Sequence, residues 1–189
     1  MKRLSRTAAR RVVLGVALGG LIALGAGVVT ASAASGAAAQ PPACQSSQIR
    51  VWMGIPGGAA AGSSYFELEF SDVGTTACNL YGFPGVSAVT APGATLGSPA
   101  GWVQSSPSEY VDLTPGETAH TLLQVADVAN YPAATCEPTA AFGLRVIPPN
   151  QTSSVVIPFA FEACSAAGPV YLHVNEPITA GTGIPQYSN

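Results

Sequence analysis

The sequence predicts an all-β protein: an immunoglobulin-like antiparallel β-sandwich of about eight or nine strands, closed by two disulfides and preceded by a cleavable signal peptide. Three observations lead there. Apolar and polar residues alternate in segment after segment beyond Cys44, the pattern of strands with one buried face. Turns containing Gly or Pro separate those segments, notably Gly57-Gly58, Pro92-Gly93 and Pro115-Gly116. No stretch past the N-terminal region keeps helical periodicity for a dozen residues, and many short strands at this spacing build sandwiches.

The N-terminus reads as an address. Lys2, Arg3, Arg6, Arg10 and Arg11 precede an apolar run from Val12 to Val29, and the small tripeptide Ala31-Ser32-Ala33 follows. Basic, apolar and small-residue regions in that order make a secretory signal peptide. Arg10-Arg11 also resembles a twin-arginine export signal, and a retained anchor is the alternative, since about 18 apolar residues can span a bilayer. The expected organisation is a signal peptide at 1–33, an Ala/Gly/Pro linker at 34–43, a sandwich domain at 44–177 and a tail at 178–189.

Without its first 33 residues the chain keeps two basic side chains, Arg50 and Arg145, and all ten carboxylates, a net charge of −8. Nucleic acid needs clustered Lys/Arg, and anionic lipid needs a polybasic patch. Neither partner is expected, so no membrane association follows removal of the signal. Export to an oxidising compartment makes disulfides the expected state of Cys44, Cys78, Cys136 and Cys164. Their separations include no C-x-x-C pair, which argues against a zinc cage.

Strands are expected over 48–54 and 64–73, then at 84–91, 101–105, 109–113, 118–126, 141–147, 155–161 and 170–174. In Tyr65-Phe66-Glu67-Leu68-Glu69-Phe70 the phenylalanines and Leu68 face the core, and both glutamates face solvent. Near the end, Val170, Leu172 and Val174 face inward, with Tyr171 and His173 outside. If 48–54 and 64–73 form a hairpin around a 57–62 loop, the midpoint between Cys44 and Cys78 falls within that loop. The midpoint between Cys136 and Cys164 is Asn150, in the Pro148–Gln151 turn. Three connectivities are possible for four cysteines. Sequential pairing, Cys44–Cys78 and Cys136–Cys164, follows if these are hairpins, with each pair at a hairpin's open end. A strict mirror register would put the odd apolar positions of one strand and the even ones of the other on opposite faces, so each hairpin needs a one-residue offset or bulge.

Several segments resemble an actinobacterial secreted family, domain-of-unknown-function 4232. They are Thr76-Ala77-Cys78-Asn79-Leu80-Tyr81-Gly82-Phe83-Pro84-Gly85-Val86, Leu113-Thr114-Pro115-Gly116-Glu117-Thr118-Ala119 and Leu144-Arg145-Val146-Ile147-Pro148-Pro149, together with Cys44, Cys136 and Cys164. The resemblance covers about 44–174 and implies a disulfide-linked, immunoglobulin-like sandwich with no established activity. Asp72 stands where such sequences often carry asparagine; it can make a similar local hydrogen bond, so no change of fold is expected.

No catalytic constellation stands out. The chain has no G-x-S-x-G elbow and no P-loop. His120 and His173 lack metal-ligand spacing and read as surface residues on separate strands. Glu67 and Glu69, about 7 Å apart by the strand rise, could serve paired-carboxylate glycosidase chemistry but read more simply as a solvated strand face. Asn150-Gln151-Thr152 matches a glycosylation sequon to which no function is assigned. No enzyme activity, metal or cofactor is therefore expected. The expected function is a non-enzymatic extracellular domain that binds a cell-envelope component or a secreted partner. Tyr81, Phe83, Trp52 and Trp102 are its candidate contacts. The alternatives are a secreted hydrolase inhibitor, presenting the 57–62 or 148–153 tip, and a hydrolase.

Overall fold

The computed structural model describes residues 39–183. The expected signal peptide, the first half of the linker (34–38) and the last six positions lie outside the described residues. Twelve strands follow in order: β1 (Ile49–Ala60), β2 (Ser63–Asp72), β3 (Cys78–Tyr81), β4 (Gly85–Val89), β5 (Thr95–Leu96), β6 (Gly101–Trp102), β7 (Tyr110–Leu113), β8 (Thr118–Ala126), β9 (Pro138–Ile147), β10 (Val155–Cys164), β11 (Leu172–Val174) and β12 (Thr179–Ala180). A four-residue helix, α1 (Ala133–Cys136), precedes β9. Three strands lie outside the expected segments: the four-residue β3 and the two-residue β5 and β12, all too short to leave a periodic signal.

The largest sheet runs β1-β2-β8-β11-β6, with β12 also paired to β8. A second sheet runs β10-β9-β4-β5, and β3 pairs with β7. Apart from the parallel β11–β6 contact, the pairings between strands are antiparallel. Leu68 and Phe70 of β2, Leu123 of β8 and Leu172 of β11 share one buried cluster with Val86 of β4, Leu144 and Val146 of β9 and Ile157 of β10. The core thus forms between the inward faces of the two larger sheets, the all-β sandwich that the alternation predicts.

Both hairpins carry the offset that their hydrophobic patterns require. In β1–β2 the register from Ile49↔Asp72 to Met53↔Leu68 shifts on either side of Pro56. In β9–β10 it shifts between Pro158 and Phe161. Both irregularities fall at a proline, which has no N–H to donate to the ladder. The expected Gly57–Gly62 loop does not form. The strand continues through Gly57 and Gly58 to Ala60, and the turn is only Ala61-Gly62. Both turn residues have positive φ, 50° and 74°, the backbone of a two-residue hairpin turn matched to strand twist.

The disulfides pair sequentially, Cys44–Cys78 and Cys136–Cys164, with Cα separations of 4.7 and 4.5 Å. Their placement is less symmetrical than expected. Cys164 ends β10 and Cys136 ends α1, so that bridge closes the mouth of the β9–β10 hairpin. Cys78 instead opens β3, where the Cys44 N–H donates to the Asn79 carbonyl at 2.9 Å. This bridge fastens the incoming chain to β3 and not to the end of β2. Asp72 Oδ1 accepts from the Gly74 N–H at 2.7 Å, the local bond expected of it.

Candidate functional site

Two places on the fold concentrate chemistry. The first is the outer face of β2, and here the expectation of a solvated glutamate face is overturned. Glu67 is only 4% exposed and Glu69 is fully buried. The cause lies far along the chain. β11 and β12 run along the same flank of β8, but between Val174↔Leu123 and Thr179↔His120 four residues face two. The excess forms a bulge at Asn175–Ile178, with Pro177 and Ile178 buried, and the chain beyond it brings Gly183 against the two carboxylates. The Gly183 N–H donates to Glu69 Oε1 at 3.0 Å. A Cβ on Gly183 would collide with the Glu67 carboxyl, and one on Gly54 of β1 would lie 2.8 Å from Glu69 Oε1. Glycine at these two positions makes the room into which both acids fit.

His120 stands opposite Glu69 in the β2–β8 register, and its Nδ1 lies 2.8 Å from the Gly181 carbonyl oxygen. A carbonyl only accepts, so Nδ1 carries a proton, and in the neutral imidazole Nε2 then keeps the lone pair. Glu176, on the bulge, completes a group with Glu67 and His120 whose candidate ligand atoms all lie within 4.8 Å of one another. The Glu176 carbonyl accepts from Thr121 Oγ1 at 2.5 Å, which fixes the bulge over β8. His173 takes no part; its Nε2 lies 3.1 Å from the Val170 carbonyl oxygen.

Burial raises the Glu67 carboxyl above its ordinary range; His120 opposes the rise and Glu176 adds to it. Burial raises Glu69 as well, against the Gly183 hydrogen bond and His120, with a further upward push from Glu67. Carboxyls with raised pKa hold protons in the folded state that the unfolded chain has released. Their contribution to stability is therefore complete below about pH 4.5, the unfolded value, and is lost as pH rises through the folded values. With a chelator present, the urea midpoint is expected to fall from about pH 4.5 towards neutrality. Glu69→Gln should flatten part of that fall. An unchanged slope in this variant would refute the assignment.

The second place is aromatic. Tyr81 of β3 faces Tyr110 of β7 across the ladder, with ring centroids 4.6 Å apart. Phe83 stacks on Trp102 at 5.5 Å, and Trp102 Nε1 donates to the Pro84 carbonyl at 3.0 Å. Tyr81, Trp102 and Tyr110 remain 42%, 54% and 58% exposed. Gly82, at φ 87°, is the hinge that lets successive residues serve both pairs, a backbone state open to glycine at no steric cost. Leu80 is buried beneath, as a rigid corner requires. Three of the four expected contacts therefore gather on the Tyr81–Pro84 corner. Trp52 does not join them. It lies on β1, at the opposite end of the large sheet from β6, with Nε1 donating to Ser71 Oγ at 3.0 Å.

The family model described as domain of unknown function (DUF4232) matches residues 44–177, well over half of the 189-residue chain. The chain belongs to this family. No curated protein matches it significantly. In this DUF4232 domain the matched region includes Glu67, Glu69, His120, Glu176 and the whole aromatic corner. Gly181 and Gly183, which contact the acids and the histidine, lie beyond it.

Proposed function

We propose that this DUF4232 domain is a non-enzymatic, extracellular binding module that engages a cell-envelope component or another secreted protein through its aromatic corner. The observation that carries the reading is the pair of aromatic contacts around Tyr81–Pro84, tilted in Tyr81–Tyr110 and stacked in Phe83–Trp102, with Tyr81, Trp102 and Tyr110 left open to water. Exposed rings held by packing supply contact area at little entropic cost, and such residues dominate binding energy. Glu109 and Asp112 flank Tyr110 and are also exposed, so the surface suits a partner with cationic groups, which both carboxylates and ring faces attract. Two disulfides agree with residence in an oxidising compartment.

The two other readings have less support. An inhibitor would need a protruding loop; the 57–62 segment is strand up to Ala60, and in the 148–153 tip Gln151 is hydrogen-bonded to Cys44 and Ser46. A hydrolase would need substrate to reach Glu67 and Glu69, which are buried with Gly183 packed against them. The test is affinity capture from culture filtrate and envelope fractions with the oxidised protein immobilised. Trp102→Ala should weaken retention of the captured partner by about tenfold or more, and Trp52→Ala should not. Equal retention by wild type and Trp102→Ala would end this reading.

A further inference from the structure

The face of β2 that the aromatic reading leaves unused carries the stronger chemistry. Glu67, Glu69 and Glu176 converge where no cation answers them. Among the described residues the only arginines are Arg50 and Arg145, and there is no lysine. Arg145 is engaged with Thr95 at 2.7 Å, and Arg50 lies exposed on β1 opposite Ser71. Meanwhile Glu67 Oε2 and Glu69 Oε2 are buried with no hydrogen-bond partner among the described residues. A buried carboxylate oxygen without a partner is costly.

We propose that Glu67, His120 and Glu176 form a binding site for a divalent cation of the zinc class, which ties residues 179–183 to the face of the large sheet. Each part of the arrangement suits that ion. The ligand set is one imidazole and two carboxylates, and all four cysteine sulfurs are committed to disulfides. An imidazole ligand favours zinc over calcium or magnesium, which prefer oxygen alone. The Nδ1 proton of His120 held on the Gly181 carbonyl is the outer-shell contact that orients a ligating histidine and leaves Nε2 for the metal. Tetrahedral zinc bonds of about 2.0–2.2 Å place ligand atoms roughly 3.3 Å apart. The present atoms span up to 4.8 Å, so the group must contract, and Glu176, only partly buried on its bulge, is the side chain free to move. Three protein ligands leave a fourth position for water. The site draws on β2, β8 and the bulge between β11 and β12, so occupancy couples the late segment to the core sheet. It does not depend on the aromatic corner.

The experiment is zinc titration of the full oxidised chain after chelator treatment, at neutral pH, read by calorimetry and by thermal unfolding. One zinc per chain is expected, and at free zinc a hundred times the Kd the midpoint should rise by about 5–10 °C. Glu176→Gln keeps the backbone carbonyl that Thr121 uses, so it should fold normally and weaken zinc binding by about tenfold or more. His120→Ala should abolish the thermal shift, and His173→Ala should leave it intact. Zinc should also move the His120 ring resonances and slow amide exchange across 176–183. Absence of binding at millimolar zinc would overturn the proposal. So would equal stabilisation by magnesium, unchanged affinity in Glu176→Gln, or a shift lost with His173 and kept without His120.

Discussion

Replacing Cys136 and Cys164 together by alanine is expected to lower the unfolding free energy by about 3–4 kcal/mol, the loop-closure entropy of a bridge spanning 28 positions. That is a large share of a stability that for domains of this size is roughly 5–15 kcal/mol. The bridge stands where the β9–β10 ladder has run out. There the backbone continues only through the Ser165 and Ala166 N–H groups donating to Glu137 and Cys136, both at 3.2 Å. Glu137 itself sits in the left-handed region at φ 50°, a conformation costly for a non-glycine residue. Removing the crosslink should therefore loosen the α1–β9 junction first. Urea unfolding of the oxidised variant provides the check, with hydrogen exchange at 136–140 and 162–166 to locate the loss. A shift below about 1 kcal/mol would mean that the unfolded chain is already compact about this loop.

Tyr171→Ala should be comparably damaging, by about 3–5 kcal/mol as for other large aromatic truncations, and Tyr171→Phe should cost less than about 1 kcal/mol. Tyr171 heads the fully buried side chains by volume, and its hydroxyl has no hydrogen-bond partner among the described residues. The ring thus supplies the packing and the hydroxyl contributes little. Burial pushes this phenol up to about 12. Its stabilising contribution is present below the unfolded value near 10 and fades between 10 and 12, so Tyr171→Phe should unfold less readily than wild type in strong alkali. Paired denaturation curves at neutral and alkaline pH test both statements. A severe loss in the phenylalanine variant would show that the hydroxyl is satisfied after all.

Tyr171 also shows why part of the fold was legible and part was not. Alternation is a dependable guide where a strand contributes one face to one core, as in Phe66, Leu68 and Phe70. It assigned Tyr171 outward because Val170 and Leu172 flank it. In fact Val170 is 39% exposed and precedes the strand, and β11 begins only at Leu172. Residues 165–171 form a loop whose side chains obey no period, and there Tyr171 turns inward next to Phe161, at 6.5 Å between ring centroids.

The glutamates of β2 are the converse. They do alternate with Phe66, Leu68 and Phe70, yet their face is not solvated, because a segment more than a hundred positions away covers them. Local pattern carries no information about such a lid. A faint signal was present in the small residues Thr179-Ala180-Gly181-Thr182-Gly183, which can lie close on a sheet. The cysteine pairing was legible because chain reversal is a local event. The attachment of Cys78 to a strand outside its hairpin was not, since it depends on where β3 finds β7.

The position of Gly183 has a practical corollary. The family match stops at 177, yet the residues that keep water from Glu67 and Glu69 come after it. A recombinant product trimmed to the family limits would bare two acidic groups, lose the β12 edge pairing and uncover Ile178's burial site. Homologues that end early would have to carry neutral side chains at those two places, or tolerate a hydrated, more electronegative sheet. Expression boundaries and comparisons between relatives are best drawn through Gly183.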